Sequence, residues 1–162
     1  YDSYGFALLL FILASISDYW DGFLARKYKL ESIVGEVLDP IADKILSLFV
    51  ILSLIIHFQS LYIAFLGGVI LSREFLVSAL RDLNARRGTS NATKVTYIAK
   101  FKTTIQFITF TSFLFGIYYN NAFLIFISYQ LLLLAVIITV YTGFVYTIET
   151  LKYDEGIRKS RK

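Results

Sequence analysis

Residues 38–58 read LDPIADKILSLFVILSLIIHF, so Asp39 and Asp43 stand at the mouth of an apolar run. The run is long enough to cross a bilayer, which takes about 20 apolar residues as a helix. Upstream, residues 17–26 read SDYWDGFLAR, so Asp18, Asp21, Asp39 and Asp43 fall within 26 positions beside long apolar segments. Carboxylates near hydrocarbon are costly to desolvate. They are expected to face a polar cavity and to be neutralised by partners, most simply by metal ions.

Composition agrees with a membrane chain. Of 162 residues, 57% are hydrophobic, 17% aromatic and only 17% charged, with a mean hydropathy of +0.65, a profile foreign to a soluble domain of this size. Cysteine is absent, which excludes structural disulfides and thiolate metal sites. The net charge of +4 is modest, and no nucleic-acid partner is expected. Methionine is also absent, and we expect a chain that lacks its natural N-terminal segment.

Five spans are expected: Tyr4 to Ser17, Leu38 to Phe58, Leu61 to Leu80, Phe101 to Tyr119 and Phe123 to Leu151. The single proline, Pro40, falls near the start of the second, where a missing amide hydrogen does least harm. Lysine and arginine cluster at Arg26 to Lys29, at Arg81 to Lys102 and from Lys152 to the end, whereas residues 57–60 and 120–122 have none. By the positive-inside rule the three basic segments are cytoplasmic and the acidic cluster lies at the cytoplasmic face. That alternation leaves Tyr1 outside, so one further helix upstream would make six. The expected fold is therefore an all-α integral membrane bundle, residues 1–162 forming a single domain with its first helix missing.

Asp18 and Asp21 are three residues apart on one helix, and Asp39 and Asp43 are four apart on the next, so each pair shares a helix face. Facing stripes would gather four carboxylates, which cannot all ionise at close range without cations. Oxygen donors without nearby histidine or cysteine favour magnesium or manganese over zinc, and a pair of such ions suits phosphoryl transfer. Gly22, Ala25 and Gly35 leave room for a phosphorylated group beside the acids. Arg26 offers phosphate a bidentate fork. A nucleotide diphosphate fits that surround.

The full pattern, Asp18-x2-Asp21-Gly22-x2-Ala25-Arg26-x8-Gly35-x3-Asp39-x3-Asp43, resembles at every fixed position the signature of the CDP-alcohol phosphatidyltransferase family of membrane enzymes. The resemblance implies a six-helix bundle, a homodimer, and a CDP-linked lipid donor. It implies that Asp18, Asp21 and Asp39 bind metal. Asp43 would be general base on the acceptor alcohol and a further metal ligand. Asp18, Gly22, Ala25, Arg26 and Gly35 would contact the cytidine diphosphate. The LDPIADK form of residues 38–44 is similar to the branch of the family that acts on CDP-diacylglycerol and glycerol 3-phosphate at the bacterial inner membrane.

Residues 72–81 (SREFLVSALR) and 99–104 (AKFKTT), with Gln106, resemble the matching segments of that branch. Arg73 and Arg81 are two turns apart and can line one helix face. With Lys100 they are the expected holders of the acceptor's phosphate. Other acceptors, namely phosphatidylglycerol, serine or an inositol phosphate, keep the same chemistry. A cation channel or transporter is the alternative from another class. Plainer roles are open too: Arg86, Arg87, Lys94 and the C-terminal tail as topology signals, Arg73 with Glu74 as an ion pair, and Gly67-Gly68 as a close helix contact.

Overall fold

A computed structural model of the chain describes residues 5–6, 8–13, 16–17, 20, 27–28, 33–88 and 97–160; within the long helices the side chains described are those of 35, 38, 40–88 and 101–153. Four long helices follow one another: α1 (Ile33–Phe58), α2 (Leu61–Arg86), α3 (Tyr97–Tyr118) and α4 (Ala122–Ser160). No strand occurs among the described residues. The class is all-α, as the sequence implies. α1 packs on α2, and α4 packs on both α2 and α3.

Three of these helices are long and apolar enough to cross a membrane: α1 over Pro40–Phe58, α2 over Leu61–Arg86, and α4 over Ala122–Tyr153. Phe49, Ile56, Leu61, Phe65 and Phe123 are each more than 60% exposed, a surface suited to lipid tails. The expected span Phe101 to Tyr119 does form a helix, α3, yet it is not one of the three. Lys102, Gln106 and Thr109 recur at the spacing of one helix face, and that face points inward, at 5%, 5% and 0% exposure. α3 thus buries a polar stripe beside apolar core residues such as Phe110 and Phe113, while Phe101 and Ile108 are exposed. Of the first expected span, residues 8–13 are helical, and Phe11 stacks on Phe107 with centroids 4.9 Å apart.

Two short turns close one end of the bundle. Between α1 and α2, Gln59 takes a left-handed φ of 45°, and the Ser60 side chain caps α2 by accepting from the Ile63 amide. Between α3 and α4, Asn120 has φ 49°, and the amides of Asn120 and Asn121 donate to the carbonyls of Ile117 and Gly116. That is a Schellman closure. Asn121 Oδ1 then caps α4 through the amides of Phe123 and Leu124. Inside this end, Phe58, Phe113 and Tyr129 meet at centroid distances of 5.3–5.9 Å. Below them Ile51, Leu54, Ile63, Ile70, Leu132 and Ala135 fill the core.

Pro40 opens the apolar span, as expected, but not the helix. α1 starts at Ile33, so Pro40 lies inside it and removes the bond its amide would give to the Glu36 carbonyl. Lys44 Nζ donates to the Pro40 carbonyl at 3.0 Å.

The two adjacent glycines of α2 differ. A Cβ on Gly67 would run into Ile51 Cγ2 of α1, whereas one on Gly68 meets nothing within 4 Å. The close helix contact belongs to Gly67 alone. Gly67→Val should therefore destabilise the detergent-solubilised protein by about 1–3 kcal/mol through overpacking. Gly68→Ala should be neutral or stabilising by up to about 1 kcal/mol, because alanine is the better helix former. Thermal unfolding of both variants checks this, and equal losses would contradict the contact.

Candidate active site

α1 supplies the acidic stripe. Asp39 and Asp43 both belong to this helix, one turn apart, so the sequence-expected shared face holds along its backbone. The Asp43 side chain is exposed; the Asp39 side chain lies outside the described residues, as do Asp18, Asp21, Gly22, Ala25 and Arg26. Gly35 is part of α1 and half-buried. No group of three acidic, histidine or cysteine side chains capable of holding a metal occurs among the described residues. Three of the four expected carboxylates fall beyond them.

One turn along from Asp43 is Ser47, and there the stripe meets α3. Gln106 Nε2 donates to Ser47 Oγ at 3.2 Å. One turn back along α3 from Gln106, Lys102 Nζ donates to Glu74 Oε1 of α2 at 2.7 Å, with side chains only 7% and 12% exposed. Beside Glu74, Arg73 Nη2 donates to Thr142 Oγ1 of α4 at 2.8 Å. A Cβ on Gly143 would come within 2.8 Å of Arg73 Cγ, so the bare backbone is what lets the arginine lie against α4. These contacts join all four helices in a single polar layer.

Arg73 and Arg81 do share a face. Their guanidinium carbons lie 5.8 and 5.7 Å from the centre of one ring, that of Tyr146 on α4, which is 1% exposed. Attraction between a cation and the ring face holds both there. Farther along, Asn84 Nδ2 donates to Thr150 Oγ1 at 2.9 Å and continues the α2–α4 seam. A groove of about 700 Å³ between α2 and α4 is lined by Ala64, Gly68, Leu76, Val140 and Phe144 among others. Its polar lining is confined to Ser72, Arg73 and Thr147.

The expected third cation, Lys100, belongs to α3, but its side chain lies outside the described residues. The lysine inside the bundle is Lys102. The signal for it in the sequence is the shared-face spacing of Lys102, Gln106 and Thr109. Tyr146 was not expected here, and Glu74, the ion-pair candidate for Arg73, has Lys102 as its bonded partner. Arg73 turns instead to Thr142. Neighbouring residues on a helix do not face one another.

With Asp39 and Asp43 on α1 and the arginine pair on α2, the family comparison becomes decisive. The family model described as CDP-alcohol phosphatidyltransferase matches residues 1–142. The chain belongs to the CDP-alcohol phosphatidyltransferase family. Among curated proteins it is similar to the CDP-diacylglycerol–glycerol-3-phosphate 3-phosphatidyltransferase of Sodalis glossinidius, 37% identical over 106 residues, covering 65% of this chain and 58% of that protein. The protein of the same name from Wigglesworthia glossinidia brevipalpis is 38% identical over 109 residues, 67% of this chain and 60% of the relative. That of Escherichia coli K12 is 35% identical over 102 residues, 63% and 56%. The chain thus matches less than two thirds of the length of each.

In this member of the family the buried Lys102–Glu74 pair yields a test. Removing one partner of a buried pair strands a charge and costs about 3–5 kcal/mol, whereas replacing both with apolar groups of similar volume is often neutral. Glu74→Leu should accordingly unfold far more readily than the double variant Glu74→Leu/Lys102→Met. Unfolding curves for the two single variants and the double form a cycle, and additive losses would mean that the pair is not coupled.

Proposed function

We infer that the protein transfers the phosphatidyl group of CDP-diacylglycerol to sn-glycerol 3-phosphate, releasing CMP and forming phosphatidylglycerophosphate. The observation that carries the acceptor is the cationic excess of the polar layer. Arg73 and Arg81 converge on the Tyr146 ring, and Lys102, bonded to Glu74, adds a third cation to the layer. Such a surplus suits a phosphate monoester, which carries about −1.5 to −2 charges at neutral pH. The names of the relatives point to the same acceptor. Serine or phosphatidylglycerol offers no phosphate monoester to this surplus, and a channel gains no support from a transferase family.

The donor's acyl chains stay in the bilayer, while Asp18, Gly22, Ala25, Arg26 and Gly35 contact its cytidine diphosphate. Asp18, Asp21, Asp39 and Asp43 make an oxygen-only donor set, with two of the four one turn apart on α1. This fits a hard divalent cation, magnesium or manganese, and two such ions are proposed. When bound, the cations supply positive charge against the diphosphate and the departing CMP.

Arg73 and Arg81, with Lys100, hold the acceptor's phosphate and orient its hydroxyl toward Asp43. The Asp43 carboxylate accepts the hydroxyl proton. The freed oxygen forms a bond to the phosphorus that bears diacylglycerol. The bond from that phosphorus to the oxygen bridging to CMP breaks, and the electron pair leaves with CMP. The basic ends of the helices support a cytoplasmic active site in the inner membrane, and the family resemblance supports a homodimer.

Full-length protein should release CMP from CDP-diacylglycerol with glycerol 3-phosphate and magnesium, and not with phosphatidylglycerol, serine or an inositol phosphate in its place. Asp43→Asn should lower kcat by about 10²- to 10⁴-fold, the usual reach of general base catalysis. Release with a different acceptor alone would overturn the substrate. In a second measurement, Arg81→Ala should raise the KM for glycerol 3-phosphate by about tenfold or more, with a smaller change in the KM for CDP-diacylglycerol. Equal changes in both would remove Arg81 from the acceptor site.

A further inference from the structure

Gln106 is 5% exposed, and its Oε1 has no hydrogen-bond partner among the described residues. A buried amide with an unpaired end is costly, because the group gave up water and received nothing in exchange. The other end of the amide is fixed by Ser47 Oγ at 3.2 Å. Turning the amide over would exchange its two ends and still leave one of them unpaired. Gln106 is therefore held in place with hydrogen-bonding capacity to spare.

Its position relates that capacity to the proposed acceptor. Ser47 follows Asp43 by four residues on α1, and Gln106 follows Lys102 by four residues on α3. Four residues advance a helix by about 6 Å. The Ser47–Gln106 contact thus lies one turn from the proposed base and one turn from Lys102, whose partner Glu74 adjoins Arg73 of the proposed phosphate site. Glycerol 3-phosphate has two hydroxyls, a primary one to attack and a secondary one that does not react. The secondary hydroxyl would also need a partner once it left water.

We propose that Gln106, positioned by Ser47, determines acceptor specificity by bonding the non-reacting secondary hydroxyl of the polyol phosphate. This deepens the synthase reading above and rests on it. A site built to bond a hydroxyl rejects the analogue that lacks it, because the buried group is left unpaired again. The amide would thus select a glycerol phosphate over a simple diol phosphate, while the arginines recognise the phosphate common to both.

The test compares kcat/KM of full-length protein for glycerol 3-phosphate and for propane-1,3-diol monophosphate, which keeps the phosphate and the primary hydroxyl. Wild type should prefer glycerol 3-phosphate by roughly 10- to 100-fold, the scale of one unpaired buried group. In Gln106→Leu that ratio should collapse toward one, chiefly through loss of activity on glycerol 3-phosphate. Gln106→Glu, which retains an accepting oxygen, should keep most of the preference. A wild type that uses both phosphates equally overturns the proposal without any variant. So does a Gln106→Leu enzyme in which both substrates lose activity in proportion, the mark of a purely structural residue. If wild type uses neither phosphate but turns over another acceptor, the synthase reading falls first and the role of Gln106 falls with it.

Discussion

The ion pair between Lys102 and Glu74 sets the terms for the rest of the bundle. An ammonium and a carboxylate, each almost fully removed from solvent, are tolerated among membrane-spanning helices only as partners. Their 2.7 Å contact fixes α3 against α2 in one register. From that register the neighbouring contacts follow: Gln106, one turn on, reaches Ser47 of α1, while Arg73, beside Glu74, reaches Thr142 of α4. Since lipid exerts no hydrophobic force between helices, such polar contacts and close packing carry the work of association.

The two ends of the bundle divide their labour accordingly. One is closed by short capped turns and filled by the Phe58, Phe113 and Tyr129 rings. There the pairing is mainly aromatic and aliphatic, with a Ser128–Ser112 hydrogen bond between α3 and α4, and no charged side chain is buried at that end among the described residues. The other end holds the acidic stripe of α1, the ion pair and both arginines. Rigid apolar packing at one end lets charged groups at the other be held at defined positions, which chemistry on a phosphate demands.

Much of this was legible in the residues. Run length alone marked the helices at Leu38, Leu61 and Phe123, because the bilayer imposes a minimum length that few other constraints share. The Asp39–Asp43 spacing likewise gave one face of one helix. What escaped was the direction each side chain takes within the bundle. The aromatics of α3 hide the inward stripe of Lys102, Gln106 and Thr109, so the bond of Lys102 to Glu74 could not be foreseen. The ring that receives the two arginines, Tyr146, sits in a segment whose composition is that of any spanning helix. Pro40 stood inside its helix rather than near its start because α1 continues two turns beyond its apolar portion. For Asp18, Asp21, Gly22, Ala25 and Arg26 the spacing in the sequence is still the whole argument.

Tyr146 explains how two guanidiniums can share a face while the neighbouring Glu74 carboxylate is engaged by Lys102. Like charges two turns apart on α2 repel, and a buried acid placed to neutralise both would cancel the field that a phosphate is to feel. A ring face attracts each cation through its quadrupole while contributing no net charge. Gly143 completes the arrangement, since a side chain there would lift Arg73 away from α4. α4 thus serves as a neutral backing for the cations of α2, through a tyrosine ring and a glycine, neither of which adds a charge to the membrane helix.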